Sequence, residues 1–384
     1  MKPILLLLLQ IFLLLPSLSS SIRTNYTSIF SFGDSYTDTG NLVILYGGLT
    51  ATPGVLIAKP PYGMTFFGQP SGRASDGRLA IDFIDESEME PLAEALGLPL
   101  LPPSLASNQS FRQGVNFAVG GTTALERAFF VDKGFKAVSP FNISISVQLG
   151  WFDALKPSLC SSPQACKEYL AEALFVVGEL GWNDYTVMLL AGRSVDEAGS
   201  HVHEIVGNIC AATERLIEEG AKTVVVSGIP PLGCAAGNLA LMANQTGGEY
   251  EPDTGCLRDL NLRSREHNAQ LRRGLARLKR RHAAGVRVVY ADLHAPITDF
   301  AAAPCRYGFD GTDGALRCCC NGAGGRYNFN LTALCCMAGV SACVDPSAYV
   351  NWDGIHLTEA ANRRIADGWL RGPYAHPPIL RNTR

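Results

Sequence analysis

Four short apolar runs punctuate the chain, and each ends in a turn signal. Ser28 to Phe32 runs into Gly33-Asp34, Leu174 to Val177 ends at Gly178, Thr223 to Val226 ends at Gly228-Ile229-Pro230-Pro231, and Val286 to Tyr290 ends at Asp292. Continuous β-branched runs of this length suit strands buried on both faces. Helical patterns lie between them. His203 to Glu219 carries apolar residues at helical spacing and ends at Gly220, and Leu260 to His282 sets Leu271, Leu275 and Leu278 on one face with arginines on the other. Strands alternating with helices predict a three-layer α/β/α sandwich around a mainly parallel sheet. Ligands in such sheets bind beyond the carboxyl ends of the strands. Residues just after the strand-like runs are therefore the ones to question.

The first 21 residues follow another pattern: Met-Lys, an apolar run from Ile4 to Leu15, then Pro16 and a cluster of serines. That is the layout of a secretory signal peptide, too short and too interrupted for a spanning helix of about 20 residues. No later stretch is long and apolar enough to span a bilayer, so the mature chain is expected to be soluble, with no membrane insertion. No linker, repeat or low-complexity segment follows, and residues 22–384 read as one domain. Twelve cysteines, none in the first 159 residues, fit an oxidising compartment. They form no matched C-x-x-C pairs and no histidine interleaves with the crowded set from Cys305 to Cys343, so no metal site is expected. Five N-x-S/T sequons, at Asn25, Asn108, Asn142, Asn244 and Asn330, read as glycosylated surface positions after such a leader. The expected location is extracellular or cell-wall, with the Golgi lumen as the other compartment. A formal charge of -3 and the absence of a long basic run argue against a nucleic-acid partner. Lys279-Arg280-Arg281 reads as the solvated end of a helix.

Four segments carry candidate chemistry. Ser35, in Phe32-Gly33-Asp34-Ser35, follows the first strand, where a serine can project into a cleft and turn its N–H toward a substrate oxygen; alone, Gly-Asp-Ser is simply a turn. The nucleophile elbow G-x-S-x-G is absent. Asp353 and His356 stand three apart in Trp352-Asp353-Gly354-Ile355-His356, just before a helix start at Thr358-Glu359, so the carboxylate can hold the imidazole as a general base. Asn183 follows the second strand, and its amide can face a developing oxyanion. The pair Gly120-Gly121 lies in a loop where a backbone N–H can approach a substrate. His201 and His203, two apart, do not share a helix face and read as surface residues. His294 reads as a loop residue, and His267-Asn268 as a packing or hydrogen-bonding pair on a helix.

In this order the four segments resemble the four blocks of the GDSL esterase/lipase family of SGNH hydrolases. The likeness covers about residues 28 to 370. It includes the segments Pro61 to Gly68, Gly72 to Arg78, Gly233-Cys234, His267-Asn268, Tyr307-Gly308-Phe309 and Asp345-Pro346-Ser347, which look like plant members. The resemblance implies a flavodoxin-like SGNH fold with an open site. Ser35 would be the nucleophile, His356 the base and Asp353 its orienting acid. The N–H groups of Ser35 and Gly121 and the amide of Asn183 would form the oxyanion hole. Three positions depart from the family pattern: Tyr36, where leucine gives the motif its name and where the side chain is expected to pack behind the nucleophile; Trp182, where a small residue is usual; and Cys320, where a glycine is usual. Trp182 is expected to bind substrate by stacking on a sugar or phenolic ring.

The chemistry so implied is ester hydrolysis through an acyl-enzyme, with no metal or organic cofactor and an ester as the partner of a monomeric chain. The plant branch acts on several esters. Secretory routing and an open site favour deacetylation of a cell-wall polysaccharide such as xylan, or of a small acetylated metabolite. The alternatives are phenolic choline esters, alkaloid esters and lipids. An acyltransferase would use the same acyl-enzyme with an alcohol in place of water.

Overall fold

The computed structural model describes residues 26–48, 55–85, 97–135, 143–242, 248–282, 285–322 and 324–380. The leader at 1–21 and the sequons at Asn25, Asn142 and Asn244 lie outside them; Asn108 and Asn330 are exposed. Six strands form one sheet in the order β2-β1-β3-β4-β5-β6. The four expected runs are β1 (Ser28–Phe32), β3 (Ala173–Val177), β4 (Thr223–Ser227) and β5 (Arg287–Ala291). Two strands carry too few residues for a periodic signal: β2 (Gly114–Asn116), parallel to β1, and β6 (Ala375–His376), antiparallel to β5.

Alternate side chains on each strand enter opposite layers. Phe30, Phe32, Phe175, Val224 and Val226 join one apolar cluster; Ile29, Leu174, Val176, Val225 and Val289 join the other. Helices α1 (Ile145–Leu159), α2 (Trp182–Leu190), α3 (Val202–Glu219) and α4 (Arg258–Arg281) pack on the first face, through residues such as Phe152, Met188, Leu216 and Leu271. Helix α5 (Glu359–Arg371) packs on the second through Ile365, Ala366 and Trp369. The three layers are the α/β sandwich the periodicities predict.

A polar seam on α4 grips the loop after β4. Asn268 accepts the Ile229 N–H and donates to its carbonyl, both at 2.9 Å; Ser264 accepts from Leu232 and Asn261 from Gly233. His267 lies 3.0 Å from the Tyr185 hydroxyl, and burial pushes its pKa down to about 3, so it is a neutral packing residue. His294 opens a helix, His294–Ala302, in place of the expected loop, because Asp292 caps the N–H groups of residues 294 and 295. His201 is half-buried, its ring 5.2 Å from that of Phe129, so of this pair His203 alone is exposed. Disulfides join Cys160–Cys166, Cys234–Cys256, Cys319–Cys343 and Cys320–Cys335.

Candidate active site

Strand β1 delivers Ser35 into a tight turn beyond its carboxyl end. The Asp34 carbonyl accepts the N–H groups of Thr37 and Asp38, and the Asp34 carboxylate accepts that of Tyr36 at 3.0 Å. Gln148 of α1 clamps the turn from beneath. It accepts the Gly33 N–H at 2.9 Å, donates to the Gly33 carbonyl at 2.7 Å, and reaches Thr122 Oγ1 at 2.9 Å. One buried amide thus ties the serine turn to the Gly120-Gly121 loop.

His356 comes from the opposite end of the chain. Its loop is pinned by backbone bonds from the cysteine-rich segment, Cys319 N–H to Asn351 O at 3.0 Å and Cys320 N–H to Trp352 O at 2.7 Å. Thr358 caps α5 through the Ala361 N–H. The Gly72 to Arg78 segment holds that same helix end: Arg78 pairs with Glu359 at 2.9 Å, and Asp76 accepts the Glu359 N–H at 2.7 Å. Gly77 lies so close that a Cβ there would sit 1.9 Å from a Glu359 oxygen.

The expected constellation is brought together. Ser35 Oγ lies 2.8 Å from His356 Nε2, and His356 Nδ1 lies 2.7 Å from Asp353 Oδ2. Asp353 collects three more donors: the N–H groups of Ile355 and His356 and the hydroxyl of Tyr62 at 2.8 Å. Burial would raise its pKa, but the imidazole and these hydrogen bonds outweigh burial and hold it at about 2. An ionised carboxylate accepts only, so Nδ1 carries the hydrogen and Nε2 presents its lone pair to Ser35. Burial lowers the pKa of His356, while the charge and hydrogen bond of Asp353 raise it by more.

Gly120 donates its N–H to Asp38 at 2.9 Å, so it is not the oxyanion donor of the pair. Gly121 adopts φ +84°, a left-handed conformation that suits glycine. Ser35's own N–H has no acceptor among the described residues. Asn183 bridges the two loops, donating to Asp34 Oδ2 at 2.8 Å and to the Thr122 carbonyl at 3.0 Å. Both amide hydrogens are therefore engaged in this structure, which the sequence reading of a ready oxyanion donor did not foresee. Asp184 fixes the same helix start by accepting the N–H groups of Ala124 and Leu125.

Beneath Ser35 two buried carboxyls meet. Glu179 accepts the Trp182 N–H at 2.9 Å, and its other oxygen finds no N–H or hydroxyl donor among the described residues. Burial and the Asp34 carboxylate push its pKa well above the usual range, and burial also raises that of Asp34. Two acids in one dry space cannot both ionise. Glu179 keeps a proton and presents it to Asp34, whose remaining electron pairs hold Tyr36 and Asn183.

Residues 29–369 match the GDSL-like lipase/acylhydrolase family. The chain belongs to that family. Sinapine esterase of Brassica napus is 45% identical over 92% of this chain and 87% of its own length. Two GDSL esterase/lipases of Arabidopsis thaliana are 43% identical over 92% of both chains, and 45% identical over 94% of this chain and 90% of theirs. As a member of this esterase/lipase family the chain is a carboxylic ester hydrolase. Its four disulfides fit an oxidising compartment. No helix among the described residues is long and apolar enough to cross a membrane.

The departures from the GDSL pattern now have positions. Tyr36 packs against the second apolar cluster, and beyond that its ring lies 5.8 Å from that of His356 and its hydroxyl donates to the Ile355 carbonyl at 2.6 Å, bracing the histidine loop. Trp182 is 5% exposed and belongs to the core. The expected stacking on substrate is not met, because the first turn of α2 directs the indole inward. Cys320 is paired with Cys335. Sequence reasoning missed Gln148, Glu179 and the role of Tyr62. Gln148 had a readable signal: it is the polar residue on a face otherwise made by Ile145, Leu149 and Phe152.

Proposed function

We propose that Ser35, His356 and Asp353 are the catalytic residues of this esterase, acting through an acyl-enzyme. The observation that carries the reading is the continuous chain Ser35 Oγ to His356 Nε2 (2.8 Å) and His356 Nδ1 to Asp353 Oδ2 (2.7 Å). Ser35 Oγ attacks the ester carbonyl carbon while its proton passes to Nε2. The oxyanion is met by the Ser35 and Gly121 N–H groups and by Asn183, which exchanges its longer bond to the Thr122 carbonyl for one to the oxyanion. His356 then returns the proton to the leaving alcohol oxygen, and water repeats the sequence on the acyl-enzyme. No metal or organic cofactor enters any step. Ser35→Ala is expected to abolish release of p-nitrophenol from p-nitrophenyl butyrate, and retained turnover in the folded variant overturns the assignment.

The leader-like N-terminus and the disulfides support a secreted protein, delivered to the cell exterior or held in the Golgi lumen. Two substrates follow from different grounds. Secretory routing points to acetylated wall polysaccharide such as xylan. The 45% identity to sinapine esterase points to a phenolic choline ester. Acetate release from acetylated xylan, measured beside hydrolysis of sinapoylcholine, separates them.

A further inference from the structure

A groove of about 470 Å³ opens beside His356. Leu42, Leu56 and Ile57 line one wall, and Phe329, Leu331 and Leu334 line the other. The second wall belongs to the cysteine-rich segment. The Cys320 N–H on the Trp352 carbonyl ties it to the catalytic loop, and the Cys320–Cys335 disulfide links that tie to the groove-lining Cys335.

Among the described residues, the lining carries no charged side chain apart from Asp353 and His356, and Asp353 is fully occupied by its four donors. At the mouth, Leu331 is 55% and Ile355 39% exposed. Two lining residues adjoin the nucleophile: His356 Nε2 lies 2.8 Å from Ser35 Oγ, and Leu42 packs beside Gly120, where a Cβ position built on the glycine lies 2.8 Å from Leu42 Cδ2 and 3.6 Å from Ser35 Cβ. The acyl carbon is bonded to Ser35 Oγ throughout the acyl-enzyme stage.

We propose that this groove is the acyl-binding site and selects esters with a large apolar acyl group, the size of an octanoyl or a phenylpropenoyl unit, over acetyl esters. The proposal rests on the Ser35 reading. Pockets of this volume and apolar lining bury drug-sized ligands, and an acetyl group would leave most of the walls uncovered. A neutral acyl chain loses nothing by leaving water here, whereas a sugar hydroxyl would meet a mostly apolar lining in which Tyr46 and Tyr62 are the residues with a hydroxyl. Specificity on this account is set by Leu331 and Leu334 together with Leu42 and Leu56.

The test is a series of p-nitrophenyl esters from acetate to octanoate, below their aggregation limits, beside a series of acetates with lengthening alcohols. Each is run on the wild-type chain, Ser35→Ala and Leu331→Asp. The acyl series is expected to raise kcat/KM by about two- to fourfold per methylene, fourfold being the rate equivalent of about 0.8 kcal/mol for a fully buried methylene. Leu331→Asp is expected to cut the octanoate-to-acetate ratio at least about fivefold. Because Leu331 is more than half exposed, folding is spared, and the ratio is read within one protein. A flat acyl series, or a rise that follows only the alcohol, overturns the groove as an acyl site while leaving the Ser35 reading intact. Equal turnover by Ser35→Ala and wild type overturns the catalytic reading itself.

Discussion

Asp34→Asn and Glu179→Gln are nearly isosteric changes in two touching side chains, yet their consequences should differ by orders of magnitude. Both terminal atoms of residue 34 face an N–H: Oδ1 accepts from the Tyr36 backbone at 3.0 Å and Oδ2 from the Asn183 amide at 2.8 Å. An asparagine there sets one donor against another whichever way its amide is turned. A buried donor without a partner costs about 1–3 kcal/mol. If Asn183 rotates away to relieve the clash, the oxyanion loses a donor worth about 2.7–4 kcal/mol, or 10²–10³ in kcat. Glutamine at 179 behaves oppositely. Its oxygen still accepts the Trp182 N–H, and its amide donates to Asp34 where the protonated carboxyl did. Its kcat should stay within about threefold of wild type, under 1 kcal/mol. The assay is kcat and KM on p-nitrophenyl butyrate, normalised to folded protein by circular dichroism. Asp34→Asn within threefold of wild type, or Glu179→Gln falling alongside it, would refute the proton-sharing arrangement.

Activity should rise with pH through the titration of His356, since only the neutral imidazole can take the Ser35 proton. That midpoint is expected above the ordinary histidine value, because Asp353 raises it despite burial. Asp353→Asn removes that support, so the kcat/KM profile should shift to lower pH while kcat falls by about 10⁴; an unshifted midpoint counts against the pairing. Tyr62→Phe deletes one of four donors to Asp353 and should cost kcat up to about tenfold, roughly 1.4 kcal/mol, with little change in KM. Replacing Cys320 and Cys335 by alanine opens a 15-residue separation and should lower stability by about 3 kcal/mol, read by denaturant unfolding.

What was legible in the chain was local. Strands β1, β3, β4 and β5 announce themselves as apolar runs with turn residues behind them, and α3 and α4 by their periodicity. Asp353 and His356 are three apart, so their pairing needs only one turn. The supporting groups work across distance. Gln148 meets Gly33 over 115 positions, Tyr62 meets Asp353 over 291, and Glu179 becomes an acid only because folding buries it against Asp34. Trp182 marks another limit. Adjacency to Asn183 placed it beside the site, but consecutive residues at a helix start point in different directions, and the indole went to the core. The engagement of Asn183 with Asp34 and Thr122 depends on two loops that only the fold brings together.

The account turns on Ser35 being a nucleophile held by His356. The direct measurement is labelling of the folded chain with a fluorophosphonate, followed by proteolysis and mass mapping of the adduct, in wild type and His356→Ala. The expected result is a single phosphonyl adduct on Ser35 that forms at least about 10³-fold more slowly without the imidazole. An adduct on another residue, or labelling of Ser35 at the same rate in both proteins, would contradict it.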